Sequence, residues 1–156
     1  METVNRKFSK SMVAEIKLSY SAKVKPSMRP KVTGSLDVRD IFLENWDLDN
    51  IGFIEEFKIM LLNRANRVIG ICQIGTGGTT SVTADPKLIL ATAIKANAAA
   101  VILAHNHPSG NPKCSEQDIK LTNRVKEGCR FLDIALLDHI ILTEEGYFSF
   151  ADEGFL

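Results

Sequence analysis

Two of the three histidines in this chain, His105 and His107, stand two residues apart where an apolar run from Ala98 to Ala104 gives way to a polar turn. Extended backbone sends residues i and i+2 to the same side, so the two imidazoles can point together. Pro108, Ser109, Gly110 and Pro112 supply a stiff turn, after which Ser115 and Asp118 open a predicted helix. A short acidic side chain in that first turn can reach back toward the histidines. Two imidazoles and one carboxylate are a three-donor set of the kind that holds catalytic zinc with one position left open.

Plainer roles compete for each residue. Ser115 followed three residues later by Asp118 resembles a helix capping box, which alone would account for both. An isolated histidine is usually a surface or hydrogen-bonded core residue. Convergence favours a metal: paired histidines at a strand end, a turn, and a carboxylate brought back to them. Capping and ligation are compatible for this helix. Cys114 is a zinc ligand by type, yet it is read as a loop residue because three harder donors already complete the set.

The arrangement His105-x-His107, seven residues, Ser115, two residues, Asp118 resembles the JAMM motif of the JAB/MPN metallohydrolase superfamily. The frame Asn97-Ala98-Ala99-Ala100-Val101-Ile102-Leu103-Ala104-His105-Asn106-His107-Pro108-Ser109-Gly110 is similar to its bacterial RadC branch, as is Leu137-Asp138-His139. The likeness runs from about residue 35 to the C-terminus. Asn106 replaces the Ser or Thr of eukaryotic-type members and suits the RadC branch. The helix–hairpin–helix region of longer RadC proteins is not expected in the residues ahead of it.

The resemblance implies an α/β fold of mixed α+β type, the JAB/MPN, cytidine-deaminase-like curved sheet flanked by helices. It implies zinc held by His105, His107 and Asp118, and a zinc-dependent metallopeptidase that cleaves a peptide or isopeptide amide. Ser115 matches the serine that donates to a developing oxyanion. The general base must be a carboxylate that is not a ligand. Among the seventeen acidic residues of the body, periodicity cannot choose it. Aligning Phe57 with the family's aromatic selects Glu55, with Glu56 the runner-up, and only one of two adjacent strand residues can face the metal. His139 reads as a structural mid-strand residue, with a role behind the ligands left open by the family pattern. The rival function is a non-catalytic binding module associated with DNA repair.

At 156 residues, 45% hydrophobic and 24% charged, the chain matches a single soluble globular unit with a substantial core. No apolar run approaches the roughly 20 residues of a membrane span, and no signal peptide opens the chain. The three cysteines show no paired spacing, which points to a reducing compartment and a cytoplasmic location. Residues 1–31 hold eight Lys/Arg and two acidic residues (+6), whereas residues 32–156 hold eleven and seventeen (−6). The basic arm could touch nucleic acid weakly; without interleaved aromatics the favoured reading is that it lies against the acidic body. A peptide or protein substrate is the expected partner, and the oligomeric state is open.

The elements that must position the site follow in order. Residues 1–10 are expected to fray, Met12 to Tyr20 alternates like a strand, and Lys23 to Gly34 is a linker, so that 1–34 and 35–156 form arm and domain. Ser35 is expected to cap a helix reaching about Trp46. Phe57–Leu62 and Val68–Ile74 form a hairpin around Asn63–Arg67. Gly75-Thr76-Gly77-Gly78 reads as a flexible turn, and Thr79–Thr83 as a short strand. Asp85-Pro86 starts a helix to about Ala96, with Asn97 left-handed after it. Ala98–Ala104 is the central strand. Ser115–Glu127 is a helix stopped by Gly128, and Ile134–Thr143 with Tyr147–Phe150 closes the fold as a hairpin.

Overall fold

A computed structural model describes residues 24–156. The expected frayed end, the alternating strand and most of the basic arm lie outside them. The described chain runs α1 (Ser35–Glu44), β1 (Glu56–Leu62), β2 (Val68–Thr76), α2 (Pro86–Lys95), β3 (Ala100–Asn106), α3 (Glu116–Phe131), β4 (Ala135–Leu142) and β5 (Tyr147–Ser149). The five strands form one mixed sheet in the order β2-β1-β3-β4-β5. β3 is antiparallel to β1 and parallel to β4, with α3 as the crossover. No helix among the described residues is long and apolar enough to cross a membrane.

Every residue of β3 is buried, because both faces of the sheet are covered. Ala100, Ile102 and Ala104 join Val38, Phe42 and Trp46 of the α1 side. Val101 and Leu103 instead pack with Ile89, Val125 and Cys129 of the α2–α3 side. Strand alternation therefore fixes, before any chemistry, that His105 faces α2 and α3 while Asn106 faces the α1 side. Burying one large apolar side chain of this kind contributes about 1.5–3 kcal/mol.

Local signals account for most boundaries. Asp85 accepts a hydrogen bond from the Lys87 amide at 2.9 Å, with Pro86 opening α2. Asn97 leaves that helix with φ 50°. In the β1–β2 turn, Asn63 Oδ1 accepts from Ala65 N at 2.9 Å and from Arg67 N at 3.0 Å.

Five expectations are corrected. Ser35 is the first residue of α1 and Gly34 its N-cap; the Ser35 hydroxyl is engaged by Asp152 at 2.5 Å and Tyr147 at 3.1 Å. The central strand starts at Ala100 rather than Ala98 and carries on through Asn106. Thr79–Thr83 is not a strand. It folds back over the end of β2, and a Cβ at Gly77 would collide with Ser81 O, so that glycine serves a close approach of two backbones rather than flexibility. Gly128 does not stop α3, which continues to Phe131. Asp133, with φ 54°, makes the left-handed exit instead.

Gly128 sits where α3 crosses α2, and a Cβ there would approach Leu90 Cδ1 to 2.6 Å. Gly128→Ala gains about 1 kcal/mol of helix propensity and loses a similar amount in moving the Leu90 tip. Its urea midpoint should stay close to wild type. Gly128→Ile should push the helices apart and lower stability by about 1–3 kcal/mol; an unchanged midpoint would show that the helices do not meet closely there.

Candidate metal centre

The last residues of β3 carry the histidines into a covered corner. His105 is 1% exposed and lies against Phe57, its partner on β1, ring over ring at 5.9 Å. His107 is one residue beyond the strand, but its amide donates to Leu142 O at 2.9 Å, so the extended phase persists. The two Nε2 atoms consequently meet at 2.9 Å. His107 Nδ1 lies 2.7 Å from Asn111 O, an acceptor only, so the proton of a neutral His107 sits on Nδ1 and its Nε2 lone pair is bare.

Asp118 performs two tasks with its two oxygens. The capping box is formed: Ser115 Oγ accepts from Asp118 N at 3.2 Å, and Asp118 Oδ2 accepts from Ser115 N and Ser115 Oγ, both at 2.7 Å. That fixes the carboxylate with Oδ1 at 3.4 Å from His105 Nε2, and Oδ2 lies 3.9 Å from His107 Nε2. The Ser115 hydroxyl thus directs its proton at Asp118 Oδ2 in this state.

Glu55 and Glu56 separate as adjacent strand residues must. Glu55 joins His105 and His107 in a group whose donor atoms all lie within 4.8 Å of one another. Glu56 goes to the other face, where Oε2 pairs with Lys58 at 3.2 Å and Oε1 accepts from Gln73 at 3.1 Å. Lys58 in turn sits 4.3 Å above the Trp46 ring. The backbone of Glu55 is pinned by Gly77 N at 2.8 Å and Gly78 O at 2.9 Å. The imidazole pair therefore has one carboxylate on each flank, Asp118 from α3 and Glu55 from the start of β1.

Two residues to which the sequence assigned no role in the site complete the frame. Asn106, with no exposed surface, accepts from Glu56 N at 2.7 Å and donates to Ile51 O at 2.7 Å and Ile54 O at 2.8 Å. It holds the loop that delivers Glu55 to the strand carrying the histidines. Thr122 lies on α3 against His139, whose other ring nitrogen touches His105. The local signal for the orientation of Asn106 was its position between two same-face histidines, which forces it to the opposite face. Cys114 stays outside the donor group, as expected of a loop residue, and burial raises its thiol pKa.

Burial governs the electrostatics. It drives the His105 pKa down to about 4, with His107 adding to the effect and Asp118 opposing it. Burial, then His105 and His107, hold His139 well below the ordinary imidazole value. Burial raises the Glu55 carboxyl; His107 and a backbone hydrogen bond from Val82 oppose the shift, and Asp118 adds to it. The corner resists protons on His105 and His139, and it brings the Nε2 atoms of His105 and His107 to one spot beside two carboxylates. Imidazole and carboxylate donors converging in this way fit a divalent transition ion.

Two consequences can be measured. Purified protein should carry about one zinc per chain. His107→Ala should lose most of it, and full retention in the His105→Ala/His107→Ala variant would refute the site. In metal-free protein, His105 and His139 stay neutral in the fold while the unfolded chain's imidazoles protonate near pH 6.5. Their folded pKa values are lowered, so their contribution is complete above pH 6.5 and is lost as pH falls below it, down to about 4 for His105. The loss approaches about 1.4 kcal/mol per pH unit for each group. His139→Gln cannot titrate, so urea midpoints of variant and wild type should converge as pH drops from 7 to 5; a constant gap would contradict this.

The family model described as RadC-like JAB domain matches residues 32–155. A UPF0758 protein of Porphyromonas gingivalis is 47% identical over 103 residues, covering 65% of this chain and 45% of the relative. One from Desulfitobacterium hafniense is 36% identical over 132 residues, covering 84% of this chain and 56% of the relative. The chain spans about half the length of the curated relatives it matches. The mixed sheet flanked by three helices, the paired histidines at the end of its central strand and the extent of this match together place the chain in the RadC-like JAB domain family.

Proposed function

We propose that this domain is a zinc-dependent hydrolase that cleaves a peptide or isopeptide amide. One observation carries the reading: two imidazole nitrogens that face each other and a buried carboxylate that the capping box does not use come together beside an open cleft. The cleft encloses about 840 Å³ and is lined by Glu55, His107, Ser115, Asp118 and the segment Thr79–Ala84.

His105, His107 and Asp118 would hold the ion. When bound, it supplies Lewis acidity, polarising a substrate carbonyl and lowering the pKa of water toward neutrality. Glu55 takes the proton of the attacking water and returns it to the leaving amine. Burial raises its pKa above the ordinary carboxylate value, which makes it a better proton acceptor. Glu56, tied to Lys58 and Gln73, has no access to the same proton. Rotation of the Ser115 hydroxyl away from Asp118 Oδ2 lets it donate to the developing oxyanion.

Zinc retention and cleavage of a peptide library, measured on the same variants, test the assignment. Glu55→Gln should keep zinc and the fold but lower turnover about 10²–10⁴-fold. Asp118→Asn should weaken zinc retention itself, and Glu56→Gln, which alters only the pair with Lys58 on the opposite face, should leave turnover close to wild type in folded protein. Loss of cleavage in Glu56→Gln with Glu55→Gln intact would reassign the base. A zinc-dependent activity insensitive to both would refute the mechanism.

A further inference from the structure

Behind His105 runs a chain of buried groups that ends on the backbone of another proposed ligand. His105 Nδ1 lies 2.8 Å from His139 Nε2, His139 Nδ1 lies 2.7 Å from Thr122 Oγ1, and Thr122 Oγ1 lies 2.6 Å from Asp118 O. All three side chains are essentially without exposed surface, at 1%, 0% and 1% for His105, His139 and Thr122. The His139 ring is stacked on Phe150 at 4.7 Å and meets Phe57 edge-on at 5.6 Å. Its plane is thereby set by packing, and only the placement of its proton is free.

Neutral imidazole has one N–H, so the chain has two self-consistent arrangements. In the first, Thr122 donates to Asp118 O, His139 donates from Nδ1 to Thr122, and His105 donates from Nδ1 to His139. His105 Nε2 is then a bare lone pair facing the bare Nε2 of His107, where a cation belongs. In the second every proton moves the other way: Thr122 donates to His139, His139 Nε2–H to His105, and His105 Nε2–H to His107. That arrangement closes the imidazole pair without a metal, and it leaves Thr122 Oγ1 against Asp118 O with no proton between them. A carbonyl cannot donate, and this is the shortest contact of the chain. A threonine hydroxyl bonding the carbonyl four residues back is also a settled local geometry in helices.

We propose that Thr122 and His139 are positioning residues that fix His105 in the Nδ1–H form and so keep its Nε2 open to a metal. A metal-ligating histidine ordinarily donates its second nitrogen to a group that can only accept, such as a carboxylate or carbonyl. Here the neighbour is another imidazole, which is indifferent to direction, and the Thr122–Asp118 bond supplies the direction it lacks. The arrangement also couples two of the proposed ligands, because Asp118 provides both the carboxylate at the front and the carbonyl at the back. This inference rests on the metal-site reading for its purpose, but its proton assignments do not require a metal.

With only three histidines in the chain, long-range proton–nitrogen NMR correlations on the ¹⁵N-labelled full chain resolve every ring. In metal-free wild type near neutral pH, His105 and His139 should both carry their proton on Nδ1. Thr122→Val keeps the shape and removes the acceptor; His105 should then move to Nε2–H, and zinc affinity, read by chelator competition, should fall about 10–100-fold. Thr122→Ser should restore both readings. His105 protonated at Nε2 in wild type would overturn the proposal even if Thr122→Val does not fold, as would a folded Thr122→Val that binds zinc like wild type. Wild type with the expected proton positions but no zinc affinity would uphold the relay and refute the hydrolase reading.

Discussion

The Nε2 atoms of His105 and His107 lie 2.9 Å apart in a corner where burial keeps His105 neutral at ordinary pH. With His105 in the proposed Nδ1–H form, two lone pairs face one another at that separation and repel unless positive charge comes between them, and β3 leaves the rings nowhere else to go. Its backbone is paired on both sides, to β1 and to β4, and its side chains are packed on both faces. The His105 ring cannot swing away from Phe57 without opening that core. His107 is held through its backbone to Leu142 and through its ring to Asn111. Convergence is imposed by packing, and a cation is what would make it favourable.

The surrounding groups follow from the same strand. Alternation sends Asn106 through the sheet to the α1 side, where its amide takes three backbone partners and fixes the approach to Glu55. Leaving those three groups unpaired would cost about 1–3 kcal/mol each, so the clamp is a strong one. Glu55 then shares a face with Phe57 and the histidines, while Glu56 shares the opposite face with Lys58. Parallel pairing with β4 brings His139 beside Leu103 on the ladder, close enough for its ring to meet His105. The proposed metal donors, base and positioning residues thus come from four elements, but each is phased by its relation to β3.

Much of this was readable from local pattern. The histidine spacing, the Ser115–Asp118 capping box, the Asp85-Pro86 helix start and the β1–β2 hairpin are each decided within a few residues. What was not readable depends on contacts between distant segments. Gly128 looked like a helix stop because its neighbour across the α2–α3 crossing, Leu90, is invisible in sequence. The Gly75–Gly78 cluster looked flexible for the same reason, its constraint being the backbone at Ser81 and Thr83. Thr122 gave no signal at all, since its partner His139 lies seventeen residues away on another element. Ser115 was legible as a cap, but the commitment of its proton to Asp118 Oδ2 needed coordinates.

The account turns on a metal held by both imidazoles and Asp118, with Glu55 beside it but unligated. A crystal of the zinc-loaded protein, with anomalous scattering recorded at the zinc edge, tests this directly. The account predicts a single ion about 2.0–2.2 Å from His105 Nε2, His107 Nε2 and Asp118 Oδ1, with the Glu55 carboxylate outside bonding distance. An ion elsewhere in the molecule, or one ligated by Glu55 in place of Asp118, would contradict it.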